Sequence, residues 1–213
     1  MQVEIVNAGK AGQGRFTSQI PDLIYATGPI SYGYQFGAGR RVLNAIVEKS
    51  WQAPQTLFSA EACTLALSDG ELLGMELGFH GPDFYVFKSN LVALAPVLID
   101  AGALTYEELA GLGERAQKAS YLNAHLLDGV YYLFALAVRE EYRGQGIGAQ
   151  LLTDAIVRAR AAGFKELQLD VLSDNPAVRF YRSMGLEVVV EIRSPELSRD
   201  HAFPSEYRMS IAL

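Results

Sequence analysis

Residues 136–148 read Leu136-Ala137-Val138-Arg139-Glu140-Glu141-Tyr142-Arg143-Gly144-Gln145-Gly146-Ile147-Gly148. An apolar strand runs into a short charged segment, which becomes a glycine-rich turn. The turn opens directly into Ile147, Leu151, Leu152, Ala155, Ile156 and Ala159, apolar residues at the spacing of one helix face. Strand, glycine turn and helix start in this order make a cradle for a phosphate. Gly144, Gly146 and Gly148 have no Cβ to block a ligand, so backbone N–H groups can converge on an anion at the helix N-terminus. The helix dipole favours negative charge at that end, and Arg143 sets a fixed positive charge beside it.

A second block follows at Asn175-Pro176-Ala177-Val178-Arg179-Phe180-Tyr181-Arg182-Ser183-Met184-Gly185-Leu186. The two blocks, in this order and with a strand between them, resemble the acetyl-CoA signature of the GCN5-related N-acetyltransferases (GNATs). The clear resemblance covers Val130 to Ile192 and is looser toward the N-terminus. It implies a GNAT fold of the α/β (α+β) class, a mixed central sheet flanked by helices. It also implies an acyltransferase of EC 2.3.1 type, with acetyl-CoA as cosubstrate, a primary amine as acceptor, and no metal.

Site residues follow from the same resemblance. The main chain of Leu136, Ala137 and Val138 would pair with pantetheine where the strand leaves its neighbour. Arg143, Gly144, Gln145, Gly146, Ile147 and Gly148 would hold the pyrophosphate. Asn175 would hydrogen-bond the cofactor arm, and Tyr181 would donate a proton to the departing thiolate. From the residues alone, Asn175 reads equally as a turn or cap residue in Ser-Asp-Asn-Pro, and Tyr181 as a core aromatic beside Phe180. The general base stays open. Histone-modifying relatives carry a glutamate where Tyr132 stands, so no carboxylate carries over; the candidates are Tyr132, Glu76, His80, His125 and Asp128, or a water chain between them.

The chain of 213 residues suits one domain, 1–213. Half its residues are apolar and a fifth charged, as in soluble globular proteins. No run is apolar and long enough to span a membrane, and the start Met1-Gln2-Val3-Glu4 lacks the basic region of a signal peptide. The single cysteine, Cys63, cannot form an internal disulfide and agrees with a cytoplasmic location. A net charge of −6 argues against a broad nucleic-acid surface. Neither nucleic acid nor membrane is expected as a partner; the resemblance implies a small-molecule or protein amine, and a homodimer is a further option.

Along the chain, Gln2 to Val6 alternates as a strand. Phe16, Ile20, Leu23 and Ile24 follow helical spacing up to Thr27-Gly28-Pro29; Pro21 either kinks this helix or marks its start. Residues 27–36 read as a loop whose Tyr32, Tyr34 and Phe36 cover the acceptor or pack on the core. Val42, Leu43, Ile46, Val47 and Trp51 make another helix. Strands over 60–67 and 72–79 flank the hairpin signal Ser68-Asp69-Gly70-Glu71. Residues 81–126 then depart from the family core. Phe84, Phe87, Leu91 and Leu94 have helical spacing, and Thr105-Tyr106-Glu107-Glu108 is a capping box, so a helical insertion is expected. It is expected at the edge of the sheet, shaping acceptor choice or a dimer contact.

Strands at 130–138 and 167–172, a short helix at 175–184 capped by Asp174 or Ser173, and last strands at 186–192 and 207–212 complete the pattern. Gly12-Gln13-Gly14 echoes the cradle, but no apolar strand precedes it, and it reads as a loop.

Two rival readings remain. A dinucleotide-binding domain would use Asp170 on the strand after the cradle, but Gly-Gln-Gly-Ile-Gly is not G-x-G-x-x-G and only one βαβ unit is present. A non-catalytic acyl-CoA sensor on the same fold is compatible with an unassigned base.

Overall fold

The computed structural model describes residues 2–12, 14–37 and 39–213. Met1, Gln13 of the Gly12-Gln13-Gly14 segment and Ala38 lie outside the described residues. In chain order the elements are β1 (Glu4–Asn7), α1 (Ala8–Ala11), α2 (Ile20–Thr27), α3 (Pro29–Phe36), α4 (Arg41–Trp51), β2 (Cys63–Ser68), β3 (Glu71–His80), α5 (Asp83–Val92), α6 (Ala95–Asp100), α7 (Tyr106–Ala119), β4 (Val130–Val138), α8 (Ile147–Ala161), β5 (Glu166–Leu172), α9 (Ala177–Ser183), β6 (Glu187–Ile192), α10 (Pro195–His201) and β7 (Glu206–Ala212).

The strands form one sheet in the order β1-β2-β3-β4-β5-β7-β6. Every neighbouring pair is antiparallel except β4–β5. The rival dinucleotide fold needs a doubly wound parallel sheet, and this sheet has one parallel junction. β2 and β3 turn at Asp69 and Gly70, both with positive φ (49° and 79°), the primed turn that matches strand twist.

Two apolar cores lie on opposite faces of the sheet. On one, Ile20, Ile24, Leu43, Val47 and Trp51 of α2 and α4 pack with Met75, Leu77 and Tyr132. On the other, Leu152, Ala155 and Ala159 of α8 and Val178 and Tyr181 of α9 pack with Tyr131, Leu133, Leu167 and Leu169. The helix face predicted for α8 is the face that is buried. Pro21 lies in the first turn of α2, so it starts that helix rather than kinking it.

Several expectations are corrected. Residues 27–36 are not a loop: Pro29 opens α3, and Gly28 is the break between two helices, its N–H closing on Tyr25 O. A proline after glycine reads as a helix stop, yet its fixed φ also suits the first helical position. Contact with α7 settles the choice, including Arg115 Nε donating to Gln35 O at 2.7 Å.

The insertion is helical, with the Thr105–Glu108 capping box formed in both directions. It does not enter at the edge of the sheet, because it joins β3 and β4, which are adjacent central strands. Its Phe84, Leu98 and Leu104 belong to the same core as α2 and α4. Neither Asp174 nor Ser173 caps α9: Pro176 holds the N-cap position, and the side chain that serves the helix start is Asn175, whose Oδ1 accepts from Ala177 N at 2.9 Å. The helix α10 was not anticipated, although Ser194-Pro195-Glu196 is a start signal: Ser194 Oγ accepts from Leu197 N.

Candidate functional site

β4 pairs with β3 along nearly its whole length, but with β5 only at Val130–Glu166, Tyr131–Leu167 and Tyr132–Gln168. Beyond that point β5 continues on β7 alone. The flank of β4 from Leu133 to Val138 therefore faces a gap, and main-chain groups directed there are free of strand partners. The ladder with β3 also jumps, Leu77 opposing Ala135 and Gly78 opposing Leu133, so Phe134 is the extra residue of a bulge. A bulge bends its strand and increases the local twist, which turns β4 away from β5. Leu136, Ala137 and Val138 lie on this free segment. A Cβ on Gly74 of β3 would come within 2.6 Å of Ala137 O, so β3 has to be bare where it backs this segment.

The glycine turn follows. Gly144 and Gly146 have φ of 76° and 80°, and Gly146 is the left-handed N-cap of α8. A Cβ on either would meet nothing within 4 Å, so their glycine identity answers to backbone conformation and leaves open space above the turn. Gly148 differs: its Cβ would make ordinary contact with Phe180 Cζ (3.6 Å) and Val138 Cγ2 (3.7 Å), which places α9 beside the cradle. No acidic residue occupies the first turn of α8. The free N–H groups there, around Ile147, point outward as they do at any helix start. Arg143, exposed, donates from Nε to Val138 O at 3.1 Å, tying the cradle to the end of β4. Gln145 reaches Glu141 O at 3.4 Å. An anion with a pyrophosphate's two charged groups fits these residues.

Asn175 commits its carboxamide oxygen to Ala177 N at the start of α9, so its NH₂ can donate to a ligand at the same time. It lines a cavity of about 450 Å³ with Arg179, Arg182 and Tyr207. Tyr181 is buried with Leu133 of β4 and Leu169 of β5, the residues just past the last β4–β5 pair. Burial alone pushes its phenol above the usual value, so it stays protonated at neutral pH.

The candidate bases separate clearly. Tyr132 OH donates to Asp170 Oδ2 at 2.9 Å. Burial, then the Asp170 charge, pushes its phenol well up. A phenol already donating to a carboxylate is a poor proton acceptor. Glu76 is fully buried and paired with Arg158 (2.6 Å) and Tyr131 OH (2.8 Å), a structural network. His80 lies between Asp83 (3.7 Å) and Asp128 (3.5 Å), at the β3 end remote from Gly74. The Asp128 side chain is 93% exposed. His125 is engaged through Nδ1 by Tyr85 OH at 2.9 Å.

The group missed from sequence is Glu206, at the start of β7. It faces the same side of the sheet as Asp170 and Arg208, and burial, reinforced by the Asp170 charge, pushes its carboxyl up to about 8. Its one sequence signal was a carboxylate two residues before an arginine on a strand.

An open V between two parallel central strands is thus followed by a glycine turn and a helix N-terminus with open space above it, a geometry that can receive an anion. Residues 40–186 match the family model "Acetyltransferase (GNAT) family". The chain belongs to the GNAT acetyltransferase family, a family of acyltransferases. Solved structures share the fold at low identity. An N-acetyltransferase from Staphylococcus aureus Mu50 has a TM-score of 0.72 at 15% identity, covering 98% of this chain and 100% of its own. A structure described as an acetyltransferase has a TM-score of 0.69 at 19% identity, covering 98% of both chains. The NatC complex bound to Gag peptide and CoA has a TM-score of 0.54 at 16% identity, covering 100% and 99%. Among the described residues, no helix is long and apolar enough to cross a membrane, and no cluster of His, Cys, Asp or Glu could hold a metal ion.

Proposed function

We propose that the protein moves the acetyl group of acetyl-CoA to a primary amine by direct attack in a ternary complex. The observation that carries this reading is the coincidence of the β4–β5 gap with the glycine cradle. The thioester supplies the activated acyl group. The chain holds its phosphates at Arg143 to Gly148, offers free main chain at Leu136 to Val138, and donates from Asn175 to the cofactor arm. Tyr181 gives a proton to the departing thiolate. The phenol is protonated at neutral pH and has a proton to give, while burial, by raising its pKa, makes it a weaker donor than an exposed tyrosine.

Direct transfer is favoured by the state of the lone thiol. Cys63 is fully buried on β2, and burial pushes its thiol well up, so it is a poor nucleophile for an acyl-enzyme. A small-molecule or protein amine acceptor and a cytoplasmic setting complete the proposal.

The test is acetyl-CoA binding by calorimetry, with turnover against a panel of amines. Wild-type protein should bind in the micromolar range, and Gly146→Trp should abolish binding by filling the space above the turn. A folded Gly146→Trp protein with unaltered affinity would remove the cradle assignment. A non-catalytic sensor would bind acetyl-CoA and acetylate nothing.

A further inference from the structure

On the sheet face shared with α2 and α4, three strands bring polar groups together where β4 and β5 part. Tyr132 OH of β4 donates to Asp170 of β5. Arg208 of β7 grips the same carboxylate with two bonds, Nε to Oδ1 at 2.5 Å and Nη2 to Oδ2 at 2.7 Å. Its remaining N–H groups go to Ala124 O (2.9 Å), His125 O (3.3 Å) and Gln168 Oε1 (3.2 Å). The guanidinium is thus fully committed. Glu206 stands one strand position pair away, opposite Leu172 of β5 and Ile192 of β6. Its carboxylate forms no ion pair or side-chain hydrogen bond among the described residues.

Of the two carboxylates, Arg208 pairs only with Asp170, and both members of that pair are buried. The register neighbours of Glu206, Leu172 and Ile192, belong to one apolar cluster with Leu197 of α10 and Tyr34 of α3. His201 of α10 lies against Tyr34, with 4.7 Å between ring centroids. Glu206 is thus a partly buried carboxyl without a partner, across β5 from the β4–β5 opening.

We propose that Glu206 accepts the proton of the acceptor's ammonium group, an inference that rests on the acetyltransferase reading above. The carboxylate takes one proton from R–NH₃⁺, freeing the nitrogen lone pair. The nitrogen forms a C–N bond to the thioester carbonyl carbon, and the C–S bond breaks as the tetrahedral adduct collapses. The second nitrogen proton is lost to solvent. The departing thiolate gains a proton from Tyr181, which is reprotonated from solvent, so one proton is released overall. Catalytic acids and bases work best with a pKa near the operating pH. The upward displacement of Glu206 to about 8 moves it into that range from the 4.5 of an ordinary glutamate. The neighbouring charges explain the direction: burial first, then Asp170, with Arg208 opposing.

The same environment selects the acceptor's form. A protonated primary amine brings N–H donors and a proton to an unpartnered carboxyl, whereas a carboxylate-rich acceptor offers neither.

The test uses full-length wild type, Glu206→Gln and Glu206→Asp, with spermidine, tyramine and a lysine-containing peptide as probes. Thermal melts establish that each variant folds, and calorimetry measures acetyl-CoA affinity. For Glu206→Gln we expect acetyl-CoA affinity within about threefold of wild type and kcat/KM for the acceptor down by about 10²-fold, the usual size of base catalysis. In wild type, kcat/KM should rise with pH through about 8. That limb should vanish in Glu206→Gln and persist, at reduced rate, in Glu206→Asp. If Glu206→Gln keeps both rate and limb, or if the wild-type limb simply follows each amine's own pKa, Glu206 is not the base. Wild type that binds acetyl-CoA but acetylates none of the probes would overturn the transferase reading, and the role of Glu206 with it.

Discussion

Replacing Arg158 with methionine should destabilise the protein by an amount that depends on pH. Glu76 has no solvent exposure, and Arg158 is its only cationic partner within the network formed with Tyr131. Arg158 also holds Asp154 one helical turn back, at 2.6 Å. Methionine keeps most of the side chain's apolar stem and removes the charge. Glu76 then has two options, to stay ionised without a partner or to fold protonated. The second sets a ceiling on the cost. A carboxyl that ionises at 4.5 in the unfolded chain loses about 1.4 kcal/mol for each pH unit above that value if it must be neutral when folded. The ceiling is about 3 kcal/mol at pH 7 and under about 1 kcal/mol at pH 5.

The sign follows from proton counting. The folded variant keeps a proton that the unfolded chain has released, so stability falls as pH rises above the unfolded value. Burial already displaces Glu76 upward in the wild type, with Arg158 holding it back, so wild type has a weaker trend of the same sign. For a chain of this length, about 3 kcal/mol corresponds to a drop in Tm of roughly 6–12 °C. Melting wild type, Arg158→Met and Glu76→Gln/Arg158→Met at pH 5 and pH 7 checks the argument, since the double variant should recover most of the pH-dependent loss. An Arg158→Met protein with equal loss at both pH values, or with none, would refute the idea that an uncompensated Glu76 charge is the cause.

Two further outcomes follow from the site and the insertion. Tyr181→Phe should lower kcat by about 10²-fold while leaving acetyl-CoA affinity within a few-fold; single-turnover kinetics showing unaltered chemistry would return Tyr181 to a packing role. Phe84→Ala should cost about 3–5 kcal/mol in urea unfolding, because Phe84 is buried against Tyr132 and Phe134 rather than carried on a separable lid; a loss under about 1 kcal/mol would show the insertion to be loosely attached.

What could be read from the sequence was local. The run from Val130 through Ala161 joins a strand, a glycine turn and a helix whose periodicities are unambiguous, and its buried face is the one the spacing indicates. The Asp69-Gly70 turn and the Thr105–Glu108 box are likewise short-range chemistry, complete within four residues. The failures came where distant residues decide. Pro29 stops one helix or starts another according to whether α7 is there to receive α3. Glu206 looks like any carboxylate at a strand start. Its importance depends on Asp170, 36 positions earlier, having already taken Arg208. Glu76 was a candidate base on sequence and is a structural anion in the fold, because Arg158 lies 82 positions away in the chain and 2.6 Å away in space.

Adjacent tyrosines of β4 anchor the two buried charge networks, and this explains why the opening of the sheet is well placed. Side chains of neighbouring strand residues point to opposite faces. Tyr131 reaches Glu76 of β3 and Arg158 of α8 on one face, while Tyr132 reaches Asp170 of β5, gripped by Arg208 of β7, on the other. Both lie at the last rungs of the β4–β5 ladder, where backbone pairing stops. Side-chain bonds take over there, clamping β4 to its neighbours immediately before it diverges. Gly78 makes the inner clamp feasible: a Cβ there would fall 2.5 Å from Tyr131 Oη and 2.6 Å from Glu76 Oε1. The two strands can then separate without the junction sliding, so the free main chain of Leu136 to Val138 is held at a set distance from α9 and the cradle. A buried ion pair is weak evidence for stability in itself. Here two such networks clamp the sheet on both faces at the rungs where β4 and β5 part.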